Sequence, residues 1–221
     1  MYFFKLIIIN KKEGGPLSVA NYLTISRIFI SPLFLIIYLK YESMGVSFFY
    51  LPYILMFLLS ISELSDAFDG YIARKYNQVT DLGKILDPMA DSIARISVFL
   101  TFTEGVIQLP MLLVFVLLYR DSGVSMLRTI CALRGFALAA RPSGKLKAVI
   151  QALAAFAIII LMIPYSMGKL PLETLQSYSF WIVFVACVYT IFSGIEYVYA
   201  NREHIKKLLI LPNKSSSPST H

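Results

Sequence analysis

The sequence predicts an all-α, polytopic integral membrane protein of about six transmembrane helices, on three observations. The 221 residues are 57% apolar and only 15% charged, with a mean hydropathy of +0.70, too apolar for a soluble domain of this size. The apolar residues gather into runs long enough to cross a bilayer. Lysine and arginine are one-sided: sixteen lie in the segments that alternate to one side, and two, Lys40 and Lys169, in the opposite connections. That asymmetry puts both termini and the charged connections in the cytoplasm. The net charge of +7 falls between hydrophobic spans, where it suits anionic headgroups or phosphorylated substrates, so no nucleic-acid partner is expected. Cys131 and Cys187 have apolar surroundings and no metal-ligand spacing, and are read as packing residues.

Residues 1–18 begin with the apolar run Met1–Ile9, interrupted by Lys5 and followed by Lys11 and Lys12. The run is too short to span, and its charges sit wrongly for a secretory signal, which makes this an interfacial segment or tail. Gly14, Gly15 and Pro16 break the chain before a first span at about Val19–Tyr38, which carries one charge, Arg27. A second runs from about Ser47 to Ser62, and its helix can continue to Tyr76 because only Gly70 interrupts the helix formers. The third, about Ile93–Ile107, contains Arg95; the fourth has its body at Leu109–Leu118, entered at Pro110, and runs into the polar stretch YRDSGVSMLRTICALRG. The fifth follows Gly144 with its apolar body at Val149–Ile163. The sixth, about Tyr178–Tyr199, has Trp181 and a tyrosine at each end as an interfacial belt. A basic, Ser/Pro-rich tail is expected to be disordered. The domain plan is therefore 1–18 as a tail, 19–200 as a six-helix membrane domain and 201–221 as a cytoplasmic tail.

Residues 63–91 concentrate six of the thirteen acidic residues: Glu63, Asp66, Asp69, Asp81, Asp87 and Asp91. Carboxylates at the end of a membrane span are costly unless something binds them. On a helix, Asp66, Asp69, Gly70 and Ala73 share one face, two carboxylates beside two small residues. Asp87 and Asp91 share a face of the next helix, and a link through Gly83 is expected to set the two faces opposite each other. Glu63 and Asp81 are read as solvated charges. Converging carboxylates with no histidine or cysteine nearby select hard cations, Mg2+ or Mn2+, and a pair of such ions suits displacement at phosphorus.

The stretch Asp66-x2-Asp69-Gly70-x2-Ala73-Arg74-x8-Gly83-x3-Asp87-x3-Asp91 resembles the signature of the CDP-alcohol phosphotransferases at every fixed position. The resemblance implies that family's membrane fold and a transferase that moves a phosphatidyl or related group from a CDP-linked donor to an alcohol, releasing CMP. It implies two metal ions held by Asp66, Asp69 and Asp87, with Asp91 as the general base that also shares in metal binding. Gly70 and Ala73 then leave space for cytidine, and Arg74 supports the diphosphate. A homodimer in the bacterial inner membrane is expected on the same basis, its donor entering sideways from the cytoplasmic leaflet among the membrane lipids.

Three further segments resemble the bacterial branch of that family whose acceptor is glycerol 3-phosphate. They are Asn21, Leu23, Thr24 and Arg27; RDSGVSMLR at Arg120–Arg128; and GKLKAVIQ at Gly144–Gln151, with Ala20 and Ala148 where the branch usually has proline and threonine. The implied reaction joins CDP-diacylglycerol and glycerol 3-phosphate to give phosphatidylglycerol phosphate and CMP. Asn21, Thr24 and Arg27 are placed toward the nucleotide and diphosphate. Arg120, Arg128, Arg141, Lys145 and Lys147 lie on the correct side for the acceptor phosphate, although the positive-inside rule alone would also make that loop basic. Arg27 and Arg95 stand within spans, at about 2.5 to 3.5 kcal/mol each on insertion scales, and so are expected to be functional or paired, with snorkelling to the surface an equal alternative for Arg95. The same chemistry with phosphatidylglycerol or inositol phosphate as acceptor is the alternative. An ion transporter fits less well, since its acids would be spread over several helices.

Overall fold

The computed structural model describes residues 19–75, 81–133, 141–203 and 205, and these form six α-helices with no strand among them. They are α1 (Val19–Lys40), α2 (Leu51–Lys75), α3 (Asp81–Thr101), α4 (Met111–Leu133), α5 (Pro142–Ser166) and α6 (Leu172–Ala200). The tail 1–18 and most of 201–221 lie outside the described residues. At 21 to 29 residues each, the helices are about 31 to 44 Å long, enough for a hydrocarbon layer of about 30 Å.

By length and composition alone, two of them, α5 and α6, qualify as spans among the described residues. Charged residues stand within the other four: Arg27 in α1, Asp66 and Asp69 in α2, Asp87, Asp91 and Arg95 in α3, and Arg120, Asp121 and Arg128 in α4. The outward surface is nonetheless apolar over several helices, with Phe29, Phe57, Leu112, Val185 and Ile195 all exposed. A surface of that kind belongs in lipid.

Packing follows from where the small and apolar faces fall. α1 lies against both α2 and α3; α5 packs on α6 and α2; α4 bridges α3 and α6. The core they share includes Phe34, Leu55, Phe99, Phe102, Leu117, Ile158, Met162 and Val183. Phe34 and Phe102 meet edge to face at 6.0 Å, a geometry that favours aromatic pairs beyond their buried area.

Two boundaries differ from the sequence expectation. Gly83 is not in the link between α2 and α3: α2 ends at Lys75 and α3 starts at Asp81, so Gly83 lies in the first turn of a helix. The third helix also ends earlier than Ile107. Thr101 and Thr103 turn their hydroxyls back to the carbonyls of Ser97 and Leu100, and the chain then passes through left-handed backbone at Gly105 (φ 68°) and Gln108 (φ 53°). α2, by contrast, runs unbroken through Gly70.

The α3–α4 turn is pinned from α1. The Tyr38 hydroxyl donates to the Glu104 carbonyl at 3.0 Å and accepts from the Ile107 N–H at 3.4 Å. A Cβ on Gly105 would stand 2.8 Å from Tyr38 Cε1. Gly105→Ala is therefore expected to cost about 1 to 2 kcal/mol for its backbone and a further ~1 to 3 kcal/mol for overpacking. Gly45→Ala, also at positive φ but with nothing within 4 Å, should show the backbone cost alone. Thermal unfolding of both variants in detergent checks the difference; equal midpoints would contradict it.

Candidate active site

The described part of the site is built where charged side chains of α1, α3, α4 and α5 meet. α2 carries Asp66, Asp69, Gly70, Ala73 and Arg74 on continuous helix, so the backbone keeps the first four on one face. α3 carries Asp87 and Asp91 one turn apart. The side chains of Asn21, Thr24, Asp66, Asp69, Ala73, Arg74 and Asp87, and the surroundings of Gly70, lie outside what is described. The donor set on these two helices is carboxylate only, which fits a hard cation such as Mg2+ or Mn2+. Among the described side chains there is no group of three potential metal ligands; of the four aspartates, Asp91 is the one whose carboxylate is described.

Asp91 is held by two arginines from the spans. Arg27, whose side chain is 1% exposed, places Nη1 3.7 Å from Asp91 Oδ1. Arg95, one turn on, donates from Nη2 to Oδ2. Two costly buried guanidiniums thus share a carboxylate that itself stays 26% exposed. The charge expected to be paired within each span is paired, and with the same partner.

A second buried pair lies beside it. Lys147 donates to both carboxylate oxygens of Asp121 at 2.7 Å, and Arg120 Nη1 donates to Oδ1 at 3.1 Å. The Asp121 side chain is 1% exposed. Asp121 is the functional candidate that the residue-by-residue reading passed over. Its signal is the lone acid of a membrane helix, a costly intramembrane charge of the kind that marks Arg27 and Arg95.

These groups border one cleft of about 470 Å³, including its part open to solvent, lined by Asp91, Ser92, Arg95, Arg120, Asp121, Val124, Ser125, Arg128, Gly144, Lys147 and Ala148. The structure therefore brings Arg120, Arg128 and Lys147 to the same cavity as Asp91. It does not bring Arg141 or Lys145 there. Arg141 pairs with Glu196 at 3.4 Å, and Lys145 is exposed on the first turn of α5. Among the described residues, four cations line the cleft against two carboxylates, a surplus of two positive charges.

The family model described as CDP-alcohol phosphatidyltransferase matches residues 17–192 of this chain. A Bacillus subtilis protein named CDP-diacylglycerol–glycerol-3-phosphate 3-phosphatidyltransferase is 32% identical over 84% of this chain and 96% of its own length. A Rickettsia typhi protein of the same name is 34% identical over 81% and 94%. A Streptomyces coelicolor protein named cardiolipin synthase (CMP-forming) is 36% identical over 48% of this chain and 47% of its own length.

Proposed function

Since the chain belongs to the CDP-alcohol phosphatidyltransferase family, we propose that it is the enzyme that transfers the phosphatidyl group of CDP-diacylglycerol to glycerol 3-phosphate. The products are phosphatidylglycerol phosphate and CMP, and the place of the reaction is phospholipid biosynthesis. The observation that carries this reading is the cleft in which Asp91 shares a wall with Arg120, Arg128 and Lys147. The surplus of two positive charges among its described residues suits a phosphate monoester dianion better than a phosphodiester, which carries one negative charge. The relatives matched over most of their length are named for the same acceptor.

In this reading Asp91 takes the proton of the acceptor hydroxyl. The hydroxyl oxygen forms a bond to the phosphorus that bears diacylglycerol, the bond from that phosphorus to the oxygen bridging to CMP breaks, and CMP leaves with the electron pair. Two divalent cations, Mg2+ or Mn2+, would be held by Asp66, Asp69 and Asp87 with a share from Asp91, and their chemistry is to neutralise the diphosphate and the departing CMP. Arg27 and Arg95 orient the Asp91 carboxylate. Arg74, Asn21 and Thr24 are assigned to the nucleotide and diphosphate, with Gly70 and Ala73 leaving room for the base. Arg120, Arg128 and Lys147 take the acceptor phosphate; Arg141 and Lys145 stand further out and guide its approach. Residues 19–200 form the catalytic domain of an inner-membrane enzyme. Its cleft and termini face the cytoplasm by the positive-inside rule, and it works as a homodimer that draws its donor laterally from the lipid.

The test is an acceptor screen on protein purified in detergent with Mg2+ and CDP-diacylglycerol. CMP release is expected on adding glycerol 3-phosphate. Release with phosphatidylglycerol or inositol phosphate and none with glycerol 3-phosphate would overturn the acceptor while leaving the reaction class in place.

A further inference from the structure

Each arginine of the acceptor side is tied to the last helix. Arg120 Nη2 donates to Ser193 Oγ at 2.7 Å. Arg128 Nε donates to the Tyr197 hydroxyl at 3.2 Å, with its guanidinium carbon 5.2 Å from the centre of the Tyr197 ring. Arg141 Nη1 donates to Glu196 Oε1 at 3.4 Å. Between these contacts lies Gly194, where a Cβ would stand 3.0 Å from Arg120 Cγ. The arginine stem crosses the helix where there is no side chain to deflect it.

Thr190, Ser193, Gly194 and Tyr197 follow one another at i, i+3, i+4 and i+7 and so form one stripe of α6. Thr190 and Ser193 are fully buried and Tyr197 is 1% exposed. α6 is otherwise an apolar span, in which a polar stripe has to be accounted for by what it holds. Residues 193–197 also lie beyond 192, where the family match ends.

We infer that Ser193, Gly194 and Tyr197 are positioning residues that fix Arg120 and Arg128 for the acceptor phosphate, making α6 the element that sets acceptor affinity. This rests on the proposed reaction. A guanidinium has five N–H donors. Arg120 uses one for Ser193 and one for Asp121, and Arg128 uses one for Tyr197. Both line the cleft with donors to spare and their long stems held, which suits oriented recognition of a phosphate.

Plain helix-to-helix adhesion between α4 and α6 would use the same contacts, so the test separates affinity from stability. Ser193→Ala and Tyr197→Phe should each raise KM for glycerol 3-phosphate roughly five- to tenfold, the loss of about one hydrogen bond. KM for CDP-diacylglycerol and kcat should move much less. Gly194→Val, which pushes the Arg120 stem aside, should raise the same KM further, and Ser193→Thr, which keeps the hydroxyl, should restore it. An unchanged acceptor KM with a lowered thermal midpoint overturns the inference, as does a rise in both KM values together. Should wild-type protein release no CMP with glycerol 3-phosphate, the acceptor reading fails, and the inference is judged by the rise in thermal midpoint that inorganic phosphate produces. A rise in wild type that shrinks in Ser193→Ala sustains it; equal rises in the two, or no rise in wild type, overturn it.

Discussion

Asp91→Asn is expected to lower CMP release by roughly 10² to 10⁴-fold, the usual contribution of a positioned general base. The replacement is nearly isosteric, so the cleft keeps its shape. What it loses is a proton acceptor and the negative charge that Arg27 and Arg95 share. With both guanidiniums buried, the variant should also unfold at a lower temperature, because two buried cations lose a carboxylate they share. Activity per folded molecule, measured below the variant's unfolding midpoint, separates the two effects. Asp81→Asn, at an acid read as solvated, should stay within about twofold of wild type on the same reasoning. An Asp91→Asn protein that retains a tenth or more of wild-type turnover would remove Asp91 from the chemistry.

The second large effect is at Lys147. Lys147→Met removes the ammonium that meets both oxygens of Asp121 and leaves a carboxylate, 1% exposed, with Arg120 as its remaining cation. Breaking a buried pair from one side typically costs about 3 to 5 kcal/mol, so the thermal midpoint should fall sharply. Removing both charges in Asp121→Leu/Lys147→Met should recover most of that stability, since a well-packed apolar pair of similar volume is often no worse than the ion pair. It should not recover activity, because the cleft then lacks a cation and Arg120 lacks one of its two anchors. Unfolding midpoints and CMP release for the single and double variants check this; a fully active double variant would show that Lys147 and Asp121 serve structure only.

Much of this was legible in the chain itself. The helix class follows from the apolar runs, and the continuity of α2 through Gly70 follows from the absence of any stronger breaker. Arg27 and Arg95 announce themselves because an unpaired charge in a span is too expensive to leave, and the carboxylate they find is the nearest acid to Arg95 on its own helix. Other features were hidden for equally physical reasons. Residues 120 and 193, and residues 128 and 197, are 73 and 69 positions apart, and helical periodicity reports only neighbours within a turn or two. Ser193 and Tyr197 carry no charge, so nothing in composition sets them apart from other hydroxyls in a span. Gly83 suggested a link by its identity, yet a helix tolerates one glycine at a cost near 1 kcal/mol. Apolarity alone extends α3 too far, since Phe102 and Ile107 are as apolar as the helix before them; what stops the helix is the backbone at Gly105 and Gln108 and the two threonine hydroxyls.

The burial of Arg27 also says something about depth. Counted along α1, Arg27 stands thirteen residues before Lys40, which ends the helix, a rise of about 20 Å. With Lys40 at one edge of a hydrocarbon layer about 30 Å thick, Arg27 and the Asp91 carboxylate it faces lie about 10 Å inside the other edge. In the proposed reaction, with Asp91 as the base, the centre is therefore sunk below the plane of the lipid headgroups. A water-soluble acceptor has to shed much of its hydration to descend there, and the cations along the cleft wall offset that loss step by step. On the same proposal the donor's diphosphate is drawn inward from the leaflet surface, so that nucleophile and leaving group meet away from bulk water, whose attack on the same phosphorus would waste the lipid.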